Sequence, residues 1–360
     1  MIQRLLIQRL LIQPYALPLR RVWGSARGDF AQRRGWLIQV SAAGWHGYGD
    51  CAPLPIAGTE THEVAWNALC QVRSTTIGHL ETWFEKLEPL LTDAPATRFS
   101  LECAWLDLLS RRQGISLRHW LAVSAQDAVP VNAMLGSLAA ITPAVLKTAC
   151  DAGFRVLKIK VGIEEPATEI RRLTALARQL PPNIGLRLDA NGAWEPDVAK
   201  CLIDRLAKLP VESLEEPLRI ADPVTLAALQ ARAAFPLARD ESLHGFDQRC
   251  DLFCQDADIA PAALGVRRIV LKPAVIGGLQ RTLSVAARAR TAGLEVVITS
   301  LVDSAAGLWP TAQLAAAIGG TLPHGLATAD WLITDLGCAP MPRRGWIDLP
   351  RTAGSGFSPS

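Results

Sequence analysis

Hydrophobic and polar positions change their rhythm about a third of the way along the chain. Up to about residue 125 the pattern is mixed. Arg34-Gly35-Trp36-Leu37-Ile38-Gln39-Val40 alternates as a strand does, and Gly44 to Gly49 turns the chain into a second strand. Thr59 and Thr61 precede an amphipathic run from Glu63 to Val72. Leu101, Ala104, Leu108 and Leu109 share one face of a longer helical pattern, Phe99 to Arg112, which Gly114 stops. From about Val129, short β-rich runs alternate with helical ones. Strands are expected over Val129–Leu135, Val156–Val161, Ile184–Ala190, Val211–Glu215, Pro236–Asp240, Arg268–Lys272 and Leu294–Thr299. Between them Ala167–Leu180, Asp197–Leu209, Pro223–Ala234 and Gln280–Ala292 read as helices. This alternation predicts βαβ units in a parallel sheet. Seven strands, with an eighth expected near His324, favour a closed barrel. A doubly wound sheet would carry a Gly-rich phosphate loop after its first strand, and none follows Val129–Leu135.

Composition narrows the function classes. With 49% apolar and 20% charged residues the chain can build a packed core. A net charge of +3 gives no electrostatic reason to expect nucleic acid or anionic lipid. Eight Cys in 360 residues are too sparse for a disulfide scaffold. Cys70, Cys103, Cys150 and Cys201 sit in apolar-periodic stretches and read as reduced thiols, while Cys250 and Cys254 lack the second pair that zinc would need. The N-terminus repeats Ile-Gln-Arg-Leu-Leu, read as a duplicated start of the first strand. Arg4 and Arg9 interrupt its apolar run, so no signal peptide is expected. With no apolar stretch of 18 residues, the expected location is cytoplasmic, without membrane partners.

The chemistry lies where strands should end. Lys158-Ile159-Lys160, Arg187-Leu188-Asp189-Ala190-Asn191, Glu215-Glu216-Pro217, Asp240-Glu241-Ser242, Lys272-Pro273 and Ser300 close six successive strands. The intervals between Lys160, Asp189, Glu215, Asp240, Lys272 and Ser300 are 29, 26, 25, 32 and 28 residues, each one βα unit. In a barrel all six stand at one C-terminal mouth. Any one of these motifs alone would pass for a solvated edge or a turn; their shared order and spacing would not. Asp189, Glu215 and Asp240 would repel one another without a cation, and such oxygen ligands suit Mg2+, or Mn2+ in its place. Lys158 and Lys160, two apart, face the same side of their strand. A lysine acts as a base only when neutral, which near pH 7 requires lowering its value by roughly 3 units, about 4 kcal/mol. Lys158 and the metal would both push Lys160 that way. The ring therefore suits removal of a proton α to a carboxylate of a small molecule.

This series resembles the enolase superfamily, in its muconate-lactonizing subgroup. Gly47-Tyr48-Gly49-Asp50-Cys51-Ala52-Pro53-Leu54-Pro55 is similar to that subgroup's capping-domain loop, with Asp50 in place of the more usual Glu, and Phe99–Gly114 to its long capping helix. Within the subgroup the likeness is to the o-succinylbenzoate synthase family. Arg187 before Leu-Asp-Ala-Asn, the segment Thr299–Ser304 and His324-Gly325-Leu326-Ala327-Thr328 carry it. Asp303 stands where relatives carry Glu, and Leu301 where they carry Ser.

The resemblance implies an α/β fold: a (β/α)7β TIM-like barrel over residues 126–339 under an N-terminal α+β capping domain, residues 1–125, to which about 340–360 returns. Ser355–Ser360 is expected to be frayed. It implies a Mg2+-dependent lyase of menaquinone biosynthesis. Lys160 would be the base, Lys158 its neighbour tuning it, and Lys272 a cation stabilising the enediolate from the opposite face. Asp189, Glu215 and Asp240 would bind the metal, with Glu216 behind them. Arg187, Asn191, Ser300 and Asp303 would contact substrate, and the loop Leu54–Thr59 would close over it. N-acylamino acid racemases and dipeptide epimerases share this ring of ligands, so that reaction class is the alternative.

Overall fold

A computed structural model describes residues 6–25, 28–74, 79–243 and 261–360. Cys250, Cys254 and most of the first copy of the N-terminal repeat lie outside them. The second copy opens a long strand, β1 (Arg9–Ser25), which pairs antiparallel with β2 (Gly28–Ala42); β3 (Trp45–Cys51) pairs on the far side of β2. Ile38, Val40 and Ala42 alternate into the core from β2. Helices α1 (His62–Ser74), α2 (Trp83–Leu87), α3 (Pro95–Gln113) and α4 (Leu117–Leu121) complete the N-terminal capping domain.

The helix expected from Phe99 begins one turn earlier, with Pro95 in its first turn, and ends on Gly114 in the left-handed region (φ 72°). It lies directly on β3. A Cβ at Gly47 would stand 2.0 Å from the Ala104 carbonyl oxygen, and one at Gly49 1.9 Å from that of Ser100. Backbone on backbone leaves nothing to move aside. Gly49→Ala is therefore expected to destabilise by at least the roughly 1–3 kcal/mol usual for overpacking. Chemical denaturation measures it, and an unshifted midpoint would show that the helix can lift at no cost.

After β4 (Ala128–Pro130) the expected alternation follows: β5 (Ala133–Ser137), α5 (Pro143–Asp151), β6 (Val156–Lys160), α6 (Pro166–Ala177), β7 (Gly185–Asp189), α7 (Pro196–Leu206), β8 (Val211–Glu215) and α8 (Pro223–Arg232). It continues through β9 (Leu237–Arg239), α9 (Pro261–Leu264), β10 (Arg268–Leu271), α10 (Pro273–Ile276), α11 (Leu279–Thr291), β11 (Glu295–Ile298) and α12 (Ala305–Ile318). Strands β5 to β11 form one parallel sheet in chain order. The segment expected near His324 closes it: His324 bridges Val131 on one edge and Gly325 bridges Thr299 on the other. Inside, Ala238, Val270 and Val297 pack as a layer of small side chains. Beneath them Glu212 pairs with Arg187 (3.1 Å) and Arg268 (2.6 Å), and Arg268 with Glu295 (2.7 Å).

The C-terminal end is not frayed. β12 (Trp346–Asp348) pairs with β4, the Ser355 amide donates to Asp107 of α3 at 2.6 Å, and Phe357 is buried against Leu37 and Tyr48. Polarity made this tail look loose, but one aromatic anchor and the buried Asp107 hold it.

Candidate active site

The barrel register brings the expected residues together. Lys158 and Lys160 flank Ile159 on β6 and point inward. Lys160 pairs in register with Asp189, and Asp189 with Glu215. Ala238 pairs with Glu215, which puts Asp240 two residues on, at the same rim. Lys272 follows β10, four strands from β6 in a ring of eight, so Lys160 and Lys272 face each other across the mouth. Lys158, Lys160, Asp189, Asn191, Asp240, Glu241, Lys272 and Ser300 line one cavity there. The capping domain supplies its other wall: Trp23 and Phe30 from the β1–β2 hairpin, and Leu54, Ile56 and Ala57 from the loop after β3. Glu215 lies just below, covered by Lys158.

Lysines span the carboxylates. Lys158 Nζ donates to both Glu215 oxygens, at 2.8 and 2.7 Å, and lies 3.1 Å from Asp189. Lys160 Nζ donates to Asn191 Oδ1 at 2.5 Å, lies 3.4 Å from Asp189 Oδ2, and sits 5.8 Å from the centre of the Trp23 ring. Lys272 Nζ is 2.5 Å from Asp240 and 3.7 Å from Glu241. Asn191 Nδ2 donates to Glu241 at 3.0 Å. Glu216 turns away and accepts from the Asp240 amide (2.6 Å) and from the Ser242 amide and hydroxyl (2.9 and 2.7 Å), which fixes the carboxylate that follows β9. Asn191, Glu216 and Val302, the turns after β7, β8 and β11, all have positive φ (45°, 46° and 59°). Backbone strain of this kind concentrates at the mouth, as at other functional sites.

Crowding shows in the ionisation. Burial raises Glu215 to about 8, with the charge of Asp189 adding and the ammonium of Lys158 opposing. Burial and then Glu241 raise Asp240 to about 6. Asp189 goes the other way: burial would raise it, but Lys158 and Lys160 hold it below the usual carboxylate range. Lys158 and Lys272 resist burial because the same carboxylates hold both above the ordinary lysine range. The charge of Lys158 is thus largely neutralised by Glu215 and Asp189, rather than bearing on Lys160 alone as its spacing suggested.

The sequence patterns of two families match: the one described as Enolase C-terminal domain-like over residues 143–360, and that of the MenC N-terminal domain over residues 9–108. The chain belongs to the enolase superfamily. It falls within the superfamily's o-succinylbenzoate synthase family. The o-succinylbenzoate synthase of Vibrio cholerae is 30% identical over 308 residues, 84% of this chain and 83% of that one. The enzyme of that name from Desulfotalea psychrophila is 26% identical over 352 residues, 89% of this chain and 93% of that one. The substrate-liganded L-Ala-D/L-Glu epimerase of Bacillus subtilis shares the fold, with a TM-score of 0.83 at 22% identity over 97% of this chain and 98% of that one.

Enolase-superfamily enzymes generally use Mg2+, and the residues of this one fit it. Asp240 Oδ1 is buried without a hydrogen-bond partner. Among the described residues no three ligating side chains already form a cage. The ammonium groups of Lys158 and Lys272 stand on the carboxylates instead.

Two residues of this superfamily member stand elsewhere than the sequence suggested. Arg187, expected at the substrate, points down the barrel; it pairs with Glu212 and donates to Asn132 Oδ1 (3.0 Å) and the Pro323 carbonyl (2.9 Å). Two residues before Asp189 it shares that strand face, one layer deeper. Asp303 is turned from the cavity toward the capping domain, where Arg33 lies 3.9 Å away and Asp50 accepts from Tyr15 and from the Ser304 amide and hydroxyl. Its neighbours Leu301 and Val302 line the cavity in its place. Ser300 lines it too, its hydroxyl bonded to Thr328 (2.8 Å). Trp23, Phe30, Met134 and Glu241 were not legible as site residues. Only Glu241, adjoining Asp240, carried a local signal.

Burial pushes Asp303 up to about 6, against Arg33 and with Asp50. A folded value above the unfolded one of about 3.9 contributes stability in full below that pH and loses it as pH rises through about 6. Asp303→Asn is therefore expected to gain in Tm relative to wild type between pH 5 and pH 8. A difference that does not change with pH would count against this account of the interface.

Proposed function

We propose that this enzyme dehydrates 2-succinyl-6-hydroxy-2,4-cyclohexadiene-1-carboxylate to 2-succinylbenzoate, in the pathway to menaquinone or phylloquinone. The observation that carries the reading is the pair Lys160 and Lys272 facing each other over a carboxylate trio, in a chain related over 84% and 89% of its length to two o-succinylbenzoate synthases.

Asp189, Glu215 and Asp240 would hold Mg2+. When bound, the ion supplies positive charge to the substrate carboxylate as it gains enediolate character. Lys160 takes the proton from the ring carbon bearing that carboxylate. The electrons of the broken C–H bond form the new ring double bond, the neighbouring C–O bond breaks, and Lys160 returns the proton to the departing hydroxide, which leaves as water. Lys272, on the opposite face, keeps its charge over the ring; attraction of this kind is worth about 0.5–2 kcal/mol. Trp23, Phe30, Leu54 and Ile56 exclude solvent from the reacting face.

The test is a spectrophotometric assay of the cyclohexadiene substrate with added Mg2+ and again in EDTA. Aromatisation with the metal and none in the chelator is expected. Folded protein that leaves the substrate unchanged while exchanging the α-proton of N-acylamino acids or dipeptides for deuterium would overturn the reading in favour of a racemase or epimerase. The opposed lysines are what make that the second reading. Lys272→Arg separates the two: a racemase loses exchange on one face, whereas dehydration through Lys160 retains activity.

A further inference from the structure

All three carboxylates assigned to the metal carry ammonium groups, Asp189 those of Lys158 and Lys160. Lys158 holds both oxygens of Glu215, and Lys272 lies 2.5 Å from Asp240. A divalent cation on Oδ1 of Asp240, which is buried without a hydrogen-bond partner, would share that carboxylate with the Lys272 ammonium on Oδ2, and the two positive charges would repel. Binding at Asp240 therefore drives Lys272 away from it. In a buried mouth an ammonium stripped of its partner is costly, so the lysine needs another carboxylate within reach.

Glu241 meets that need. Its Oε1 is 3.7 Å from Lys272 Nζ, and Asn191 Nδ2 donates to the same oxygen at 3.0 Å, holding the carboxylate in the cavity wall. Asn191 in turn accepts Lys160 on its Oδ1 at 2.5 Å. The two opposed lysines are thus joined through one amide and one carboxylate that belong to neither the metal set nor the reacting pair.

We propose that Glu241 is the acceptor to which Lys272 passes when Asp240 takes the divalent cation, so that metal binding and the placement of Lys272 are one event. The inference rests on Asp240 being a ligand. Glu241 is then a positioning residue: it keeps Lys272 charged and at the mouth, and through Asn191 it holds that lysine in register with Lys160.

The experiment is titration calorimetry with MgCl2 on the wild type, Glu241→Gln, Lys272→Met and the double variant, without substrate. Glutamine keeps the size of the side chain and the acceptor for Asn191, but offers the lysine no charge. Glu241→Gln is expected to bind Mg2+ at least about tenfold more weakly, the scale on which groups behind the ligands act. Adding Lys272→Met is expected to restore the affinity, because Asp240 then has no competitor. Wild-type affinity in Glu241→Gln, or a weakening that Lys272→Met does not relieve, overturns the proposal while leaving the metal site intact. No Mg2+ binding by the wild type, or undiminished binding by Asp240→Asn, overturns the metal assignment and the proposal with it.

Discussion

Replacing Lys160 by alanine is expected to lower turnover by on the order of 10^4-fold, the upper range for a positioned acid–base group. In the proposed reaction one group serves twice, taking the α-proton and giving it back to the leaving hydroxide, so a large loss is expected. No other amine can substitute. Lys158, two residues earlier on the same strand, is held protonated by Glu215 and Asp189, and Lys272 faces the other side of the ring. Removing Lys160 leaves those pairs in place, so the variant should fold and retain its response to Mg2+. Its own contacts are Asn191, Asp189 and the Trp23 face, none of which it alone supports. A turnover within tenfold of wild type would mean that another group abstracts the proton.

The second large effect is on the metal. Mg2+ at about 100 times its Kd is expected to stabilise the wild type by about 2.7 kcal/mol, read as a rise in Tm. Asp189→Asn should abolish that rise. Asp189 is the one of the three that its lysines keep ionised, so it is the member most ready to meet a cation. Burial disfavours the charged form of Glu215 and Asp240 instead. An equal rise in wild type and Asp189→Asn would show that Mg2+ acts elsewhere on the chain.

Much of this was written in the sequence, because a barrel strand is a local device. Its apolar run, its terminal polar residues and the length of one βα unit are all short-range properties. They sufficed to place Lys160, Asp189, Asp240, Lys272 and Ser300 around one cavity and Glu215 just beneath it. The expected strand Val211–Glu215 matches β8 end to end, and the other barrel strands differ by a residue or two, apart from the first. That one divides into β4, which pairs with the C-terminal β12, and β5, which joins the barrel. No local pattern announces that change of partner.

Alternation along a strand says which face a side chain takes, and nothing about depth. Arg187 and Asp189 share a face, yet one meets the cavity and the other Glu212 in the barrel floor, because the layer between them is set by neighbouring strands. Asp303 followed the same rule: an acid at a strand end is drawn to the cavity or to the capping domain by which cation lies nearer, and Arg33 comes from β2, some 270 residues earlier in the chain. The hairpin walls, Trp23 and Phe30, have meaning only once the capping domain lies on the barrel. What the sequence determined by itself was the repeating unit and the chemistry at its ends. The tertiary structure alone decided which charges pair, since in a crowded buried ring the partner of a lysine is settled by a few ångströms between strands that are far apart in the chain.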